Sequence, residues 1–254
     1  MAKWQHNNKL EFYVLKKGLF FGLSLWALPL VTQAELDLNN EKMKAAFDVA
    51  VERYVLENGE VVAKSLERYE NNLQMKRMLS VIDKDTPLMG DLDSPVTVIE
   101  FSDYECPYCS AVQKNVDTLK KRYGNRVRFA YKHAPLSFHA KAPAASHAAM
   151  AAQEQGKFWE YSAQLFAKQP ALGDKLYVSI AKDLGLDIDA FNAYRNSKAA
   201  NDRLNQNLLD AAAMGMRGTP FFLINGQALS GAQPLDRFVA AIENALNQVE
   251  ENEQ

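Results

Sequence analysis

The chain has 254 residues, of which 48% are hydrophobic and 24% charged, with a formal charge of −2 and two cysteines. Cysteine is too scarce for a disulfide-stapled miniprotein, and a near-neutral balance without basic runs argues against nucleic acid as a partner. Nine prolines and 12 glycines exclude a collagen-like or low-complexity chain, and no repeat period marks a solenoid, which leaves a globular protein of one or two domains.

At the N-terminus, Lys16 and Lys17 precede an apolar run from Leu19 to Val31, and Thr32-Gln33-Ala34 follows with small residues at −3 and −1 of a cut. The pattern predicts a secretory signal peptide over residues 1–34 and an exported, soluble mature chain. At 1.5 Å per residue the run reaches about 20 Å, short of the roughly 30 Å hydrocarbon core, so a retained membrane anchor is the second reading. Residues 35–85 then show apolar stripes on two or three charged helices: Phe47, Val51 and Tyr54, then Val62, Leu66, Tyr69 and Leu73, then Met75, Met78, Leu79 and Ile82. Such stripes need a partner. They either fold back on the rest of the chain or meet a second copy in an isologous homodimer, and the homodimer is the favoured alternative.

Next, residues 96–101 (VTVIEF) alternate and are β-branched as in a strand, whereas 111–121 carry helical spacing at Val112, Val116 and Leu119. Between them lie both cysteines, Cys106 and Cys109, separated only by Pro107 and Tyr108. A loop that small is a poor staple but a good redox pair. Cys106 is predicted at the helix N-terminus with Pro107 in the first turn, where a missing N–H costs nothing and free amides favour thiolate over thiol. On that reading Cys106 is the nucleophile and Cys109, one turn inside, the resolving thiol. Zinc has no second cysteine pair and would have to recruit among His133, His139 and His147, so no metal is expected. Ser110 after Cys109 excludes c-type haem attachment. An inert bridge is the remaining alternative. His133, at the end of a strand over 127–132, reads as structural, and Glu105 as a surface charge that slightly opposes thiolate formation.

Downstream, about eighty residues read as almost wholly helical: 140–155, 157–168, 174–184 stopped by Gly185, 189–196, and 198–214 capped by Ser197 and stopped by Gly215. Phe158, Trp159, Tyr161 and Phe166 recur at helical spacing and read as core. A hairpin follows, 221–224 and 227–230 around Asn225-Gly226, with a last helix over 234–248.

The segment Phe101-Ser102-Asp103-Tyr104-Glu105-Cys106-Pro107-Tyr108-Cys109 after a strand, with Gly218-Thr219-Pro220-Phe221-Phe222 far downstream, resembles the bacterial periplasmic thiol-disulfide oxidoreductases of the DsbA type, in the thioredoxin superfamily, over about residues 86–248. The resemblance implies an α/β, thioredoxin-like fold with a helical insertion at about 138–215, preceded by an N-terminal helical extension. The domains are then 1–34, 35–85 and 86–254. It also implies a periplasmic location and a cis Pro220 that lies, with Thr219, against the cysteines and binds substrate; the alternative is an ordinary proline at a strand start. Glu100 falls where relatives carry a buried acid that exchanges a proton with Cys109, or else it is simply exposed. The implied activity is formation or isomerisation of disulfides in unfolded or misoxidised exported proteins. No cofactor is needed beyond the Cys106–Cys109 pair, and a membrane thiol partner resets it. Relatives with N-terminal extensions tend to be oligomeric isomerases. The reading from a different class is a chaperone that holds unfolded clients while the cysteines are incidental.

Overall fold

The computed structural model describes residues 40–252, so the signal segment read at 1–34 lies outside the described residues. The chain divides into two compact units, one ending at Glu57 and one beginning at Asn58. The described part of the first is helix α1 (Glu41–Glu57). It opens at Asn40, whose Oδ1 accepts from the Lys42 and Met43 amides at 3.1 and 3.3 Å and so satisfies two free N–H groups of the first turn. No residue of α1 is buried, and Phe47, Val51 and Tyr54 are exposed.

The second unit begins with α2 (Gly59–Leu79). Val62, Leu66, Tyr69 and Leu73 of α2 are exposed, whereas Met78 is buried beside the sheet. The chain continues through β1 (Leu88–Met89), β2 (Val96–Ser102), α3 (Pro107–Tyr123) and β3 (Val127–His133). Five helices follow: α4 (Ala142–Gln153), α5 (Phe158–Ala167), α6 (Asp174–Asp183), α7 (Ile188–Arg195) and α8 (Lys198–Ala213). Strands β4 (Phe221–Ile224) and β5 (Gln227–Ser230) and helix α9 (Leu235–Asn252) complete it. The sheet order is β1-β3-β2-β4-β5, with β2 and β3 parallel and the other neighbours antiparallel. This is a thioredoxin-like sheet with five helices inserted between β3 and β4. The short edge strand β1 has no counterpart in the sequence reading, because two residues carry no period.

Every residue of β2 is buried, as befits a central strand covered on both faces. Val96, Val98 and Glu100 share one face with Phe129 and Phe222, under α3 and α9. Ile99 and Phe101 share the other with Ala130 and Leu223, against Met78 and Ala211. The insertion has its own core, in which the alanines of α4 let neighbouring helices approach closely, and that core runs on to Tyr104, Cys106 and Cys109. Phe158, Tyr161 and Phe166 lie in it and Trp159 packs at its edge. At the hairpin turn Asn225 has φ 44° and Gly226 φ 93°. A Cβ on Gly226 would also meet the Met75 amide nitrogen at 2.9 Å, so α2 can cross the turn only over a glycine.

Candidate active site

Helix α3 begins one residue after Cys106, which is its N-cap in extended conformation (φ −73°, ψ 120°), with Pro107 in the first turn. The Cys106 carbonyl accepts from the Cys109 and Ser110 amides at 3.1 and 3.2 Å, which starts the helix. Cys106 is 4% and Cys109 0% exposed, whereas Tyr108 between them is 65% exposed and Pro107 is exposed. One turn of helix therefore puts one sulfur at the rim, the other in the core and the tyrosine ring in solvent.

The two thiols are driven apart in acidity. The Cys109 thiol donates to the Cys106 sulfur; that bond, the Thr219 side chain and the Cys109 and Tyr108 amides outweigh burial and hold Cys106 down to about 5. Burial, and then the bond to Cys106, push Cys109 far up. The Asp103 amide donates to the Cys109 sulfur at 3.4 Å.

Pro220 follows a cis Thr219–Pro220 peptide and is buried at the start of β4. The Cys106 thiol donates to the Thr219 carbonyl at 3.4 Å, and the buried Thr219 hydroxyl acts on the same sulfur without completing a direct hydrogen bond. The nucleophile thus lies against the backbone that precedes the cis proline.

Glu100 is 5% exposed, and burial, the largest influence, raises its pKa. Its neighbours are polar. Gln113 donates from Nε2 to Glu100 Oε1 at 2.8 Å and to the Cys109 carbonyl at 3.3 Å. Lys120 of α3 is within electrostatic reach, its own pKa lowered first by burial, with its ammonium 4.0 Å from the centre of the Trp159 ring. The Ser102 hydroxyl lies against both the carboxyl and the Cys109 sulfur.

The sequence reading missed the residues that hold this loop. Asp103 is wholly buried, and its Oδ1 accepts from the Glu105 amide at 2.7 Å. Its Oδ2 takes the Leu136 amide and pairs with His139 Nδ1, both at 2.7 Å. The carboxylate therefore joins the β2–α3 and β3–α4 loops. Gln169 from the insertion donates to the Tyr104 and Cys106 carbonyls at 2.7 and 2.9 Å. Their signals, an Asp three residues before the first cysteine and a Gln sixty residues on, carry no period and show only in the fold. Glu105 is half-buried rather than a free surface charge, because its Oε2 accepts the Lys141 amide at 2.7 Å. His133 is fully buried, edge-on to Tyr131 and Phe158 and tilted against Tyr104, and burial holds its pKa well below the usual histidine range. Among the described residues no group of three or more His, Cys, Asp or Glu side chains is arranged to hold a metal ion.

A low-pKa cysteine on the first turn of a helix, a buried partner thiol and a cis proline opposite define a dithiol site of the thioredoxin class. A family model of the DSBA-like thioredoxin domain matches residues 97–243, and the chain belongs to that family. The chain is 26% identical to a thioredoxin-like oxidoreductase from Silicibacter pomeroyi, with a TM-score of 0.58 over 65% of this chain and 94% of the other. Its fold also matches α-DsbA1 from Wolbachia pipientis at 22% identity and a TM-score of 0.63, over 70% of this chain and 99% of that one. It is 33% identical over 156 residues to the Na(+)/H(+) antiporter NhaA of Herminiimonas arsenicoxydans, a match covering 61% of this chain and 25% of the antiporter. The match thus spans about a quarter of the length of that relative. No helix among the described residues is long and apolar enough to cross a membrane.

Proposed function

We propose that the chain is a periplasmic thiol-disulfide oxidoreductase that forms or isomerises disulfides in exported proteins through Cys106 and Cys109. One observation carries the reading: the acidic Cys106 sulfur sits at the N-terminus of α3, 3.4 Å from the Thr219 carbonyl beside cis Pro220. In the oxidising direction a client thiolate attacks Cys106 of the bridged pair, and the Cys106–Cys109 bond breaks. Cys109 leaves with the electron pair and takes a proton from Glu100. A second client thiolate then attacks the client sulfur of the mixed disulfide and releases Cys106 as thiolate, leaving the client oxidised and the pair reduced. A low pKa makes Cys106 the better leaving group, which favours donation of the disulfide, and a membrane thiol partner reoxidises the pair. In the isomerising direction the reduced Cys106 attacks a wrong bridge and lets the client reshuffle.

Periplasmic location is supported by the signal pattern at residues 1–34. The exposed aromatic rings of Tyr108 and of Phe138, next to His139, suit an unfolded polypeptide. The apolar residues exposed on α1 and α2 favour a homodimer through residues 35–85, and they are also what a holdase would use.

Refolding of a scrambled-disulfide substrate separates the two readings. Cys106→Ser abolishes refolding and leaves suppression of aggregation intact if the pair carries the function. Equal refolding by variant and wild type overturns the redox reading in favour of the holdase.

A further inference from the structure

Strand β2 alternates, so Glu100 and Ser102 project from the same face as successive side chains, about 6–7 Å apart. The first turn of α3 sits over that face with the Cys109 sulfur held by the Asp103 amide, one residue beyond Ser102. Ser102 is 0% exposed, and its Oγ completes no direct hydrogen bond in this conformation. A buried hydroxyl left in that state calls for an explanation. It lies between two groups whose ionisation it favours, the Glu100 carboxyl and the Cys109 thiol. Gln113 already occupies Glu100 Oε1 and ties the carboxyl to the turn that carries Cys109.

We propose that Ser102 is the relay through which a proton passes between Cys109 and Glu100. This deepens the exchange reading and rests on it. A hydroxyl both donates and accepts. When Cys109 resolves a mixed disulfide, the Ser102 oxygen takes the thiol proton while its own proton goes to the Glu100 carboxylate. The Cys109 thiolate forms a bond to Cys106, the bond from Cys106 to the client sulfur breaks, and the client leaves as thiolate with the electron pair. The reverse movement protonates Cys109 when it is the leaving group.

Other groups face the pair. Lys120 and Asp117 of α3 act on Glu100 through charge alone, and Cys106 faces Cys109. The hydroxyls of Tyr104 and Tyr131 are also close. Tyr104 is committed to the Ser162 hydroxyl at 3.0 Å. The Tyr131 ring stacks on that of Tyr104, its hydroxyl completes no direct hydrogen bond, and burial keeps it neutral. From β4 and α9 the neighbours are the apolar Phe222 and Phe238. Of these hydroxyls, that of Ser102 is the one that favours ionisation of both partners, and it completes no direct hydrogen bond in this conformation.

The test uses the reduced full chain and oxidised glutathione, with the mixed disulfide trapped by acid and followed against pH. Attack by Cys106 makes the mixed disulfide, and attack by Cys109 releases glutathione. Ser102→Ala leaves the first step unchanged, which also reports a folded site. It slows the second about tenfold or more near neutrality, the scale of a lost proton-transfer group. The difference closes at alkaline pH, where hydroxide removes the proton. Ser102→Thr restores the rate, Tyr131→Phe leaves it unchanged, and Ser102→Ala with Glu100→Gln is no slower than the slower single variant, because the two act in series. A second step within twofold of wild type in Ser102→Ala at every pH, or one slowed by Tyr131→Phe instead, overturns the relay and leaves the exchange reading standing. Absence of any mixed disulfide in the wild type overturns the exchange reading itself.

Discussion

The two faces of the central sheet treat buried polar groups in opposite ways. On the face away from α3, Lys132 is 1% exposed and its ammonium meets Asp210 Oδ2 at 3.0 Å and Asp83 Oδ2 at 3.6 Å. Asp210 Oδ1 accepts from Gln206 at 2.9 Å. Each charge there is matched. On the face under α3, Glu100 has a neutral amide as its hydrogen-bond donor and a lysine that acts through charge alone, and the hydroxyls of Ser102 and Tyr131 complete no direct hydrogen bond. A low-dielectric interior penalises unmatched polar groups. The contrast therefore separates polar groups matched by partners from unmatched ones beside the cysteines, which are the groups the proposed relay uses.

Three measurements break or sharpen that contrast. The largest effect on stability belongs to the matched face. Asp210→Ala leaves the buried Lys132 charge with only the half-exposed Asp83 carboxylate at 3.6 Å and lowers the unfolding free energy by about 3 kcal/mol in denaturant titration. The rate of Cys106 alkylation in the folded fraction stays unchanged; a loss below about 1 kcal/mol would mean that the pair is not structural.

At the open site the next effect is in pH. The Cys106 thiol is held down to about 5 rather than near the 8.5 of a free cysteine, so at pH 6.5 its thiolate fraction is about a hundredfold that of a thiol with the free value, and its alkylation by iodoacetamide rises with pH to a plateau with a midpoint near 5. Thiolate absorbance gives the same midpoint. The folded value lies below the unfolded one, so the reduced protein gains stability that is complete above about 8.5 and is lost as pH falls towards about 5. The bridged form has no thiol to titrate. The reduced form therefore gains in melting temperature over the oxidised form as pH rises through that window, and a gap independent of pH between 5 and 8 would contradict the assigned acidity.

The smallest effect has the opposite sign to the first. Burial raises the Glu100 pKa above its unfolded value, so its charge opposes folding once pH exceeds the ordinary carboxylate range. Glu100→Gln then raises the melting temperature at pH 7, by about 2–4 °C if the relief is about 1 kcal/mol in a domain of this length. The gain disappears below about pH 4. A drop in melting temperature at pH 7 would place Glu100 with the structural groups.

Much of the site was legible because its chemistry is local. The strand over 96–101, Pro107 in the first turn and the two-residue spacer put both thiols on one helix turn without any knowledge of packing. The five inserted helices were legible for a similar reason, since Ser197 caps one by accepting the Ala200 amide and Gly185 and Gly215 stop two of them, whereas the Asp187 cap, which accepts the Ala190 amide, shows only in the structure. The identity of the supporting cast was not. Gln113 looks like any exposed polar position of α3, and Asp103 and Gln169 act on loops that meet only after the chain has closed.

The amino-acid order by itself determined the elements other than β1, the redox pair and which cysteine is nearer solvent, because helix caps, alternation and a four-residue motif act within a few residues of chain. Tertiary structure decided the acidity of each thiol, the neutrality of His133 and the placing of Ser102 between Cys109 and Glu100. Those depend on burial and on partners brought together from β2, α3 and β4, and no local pattern encodes a distance between strands.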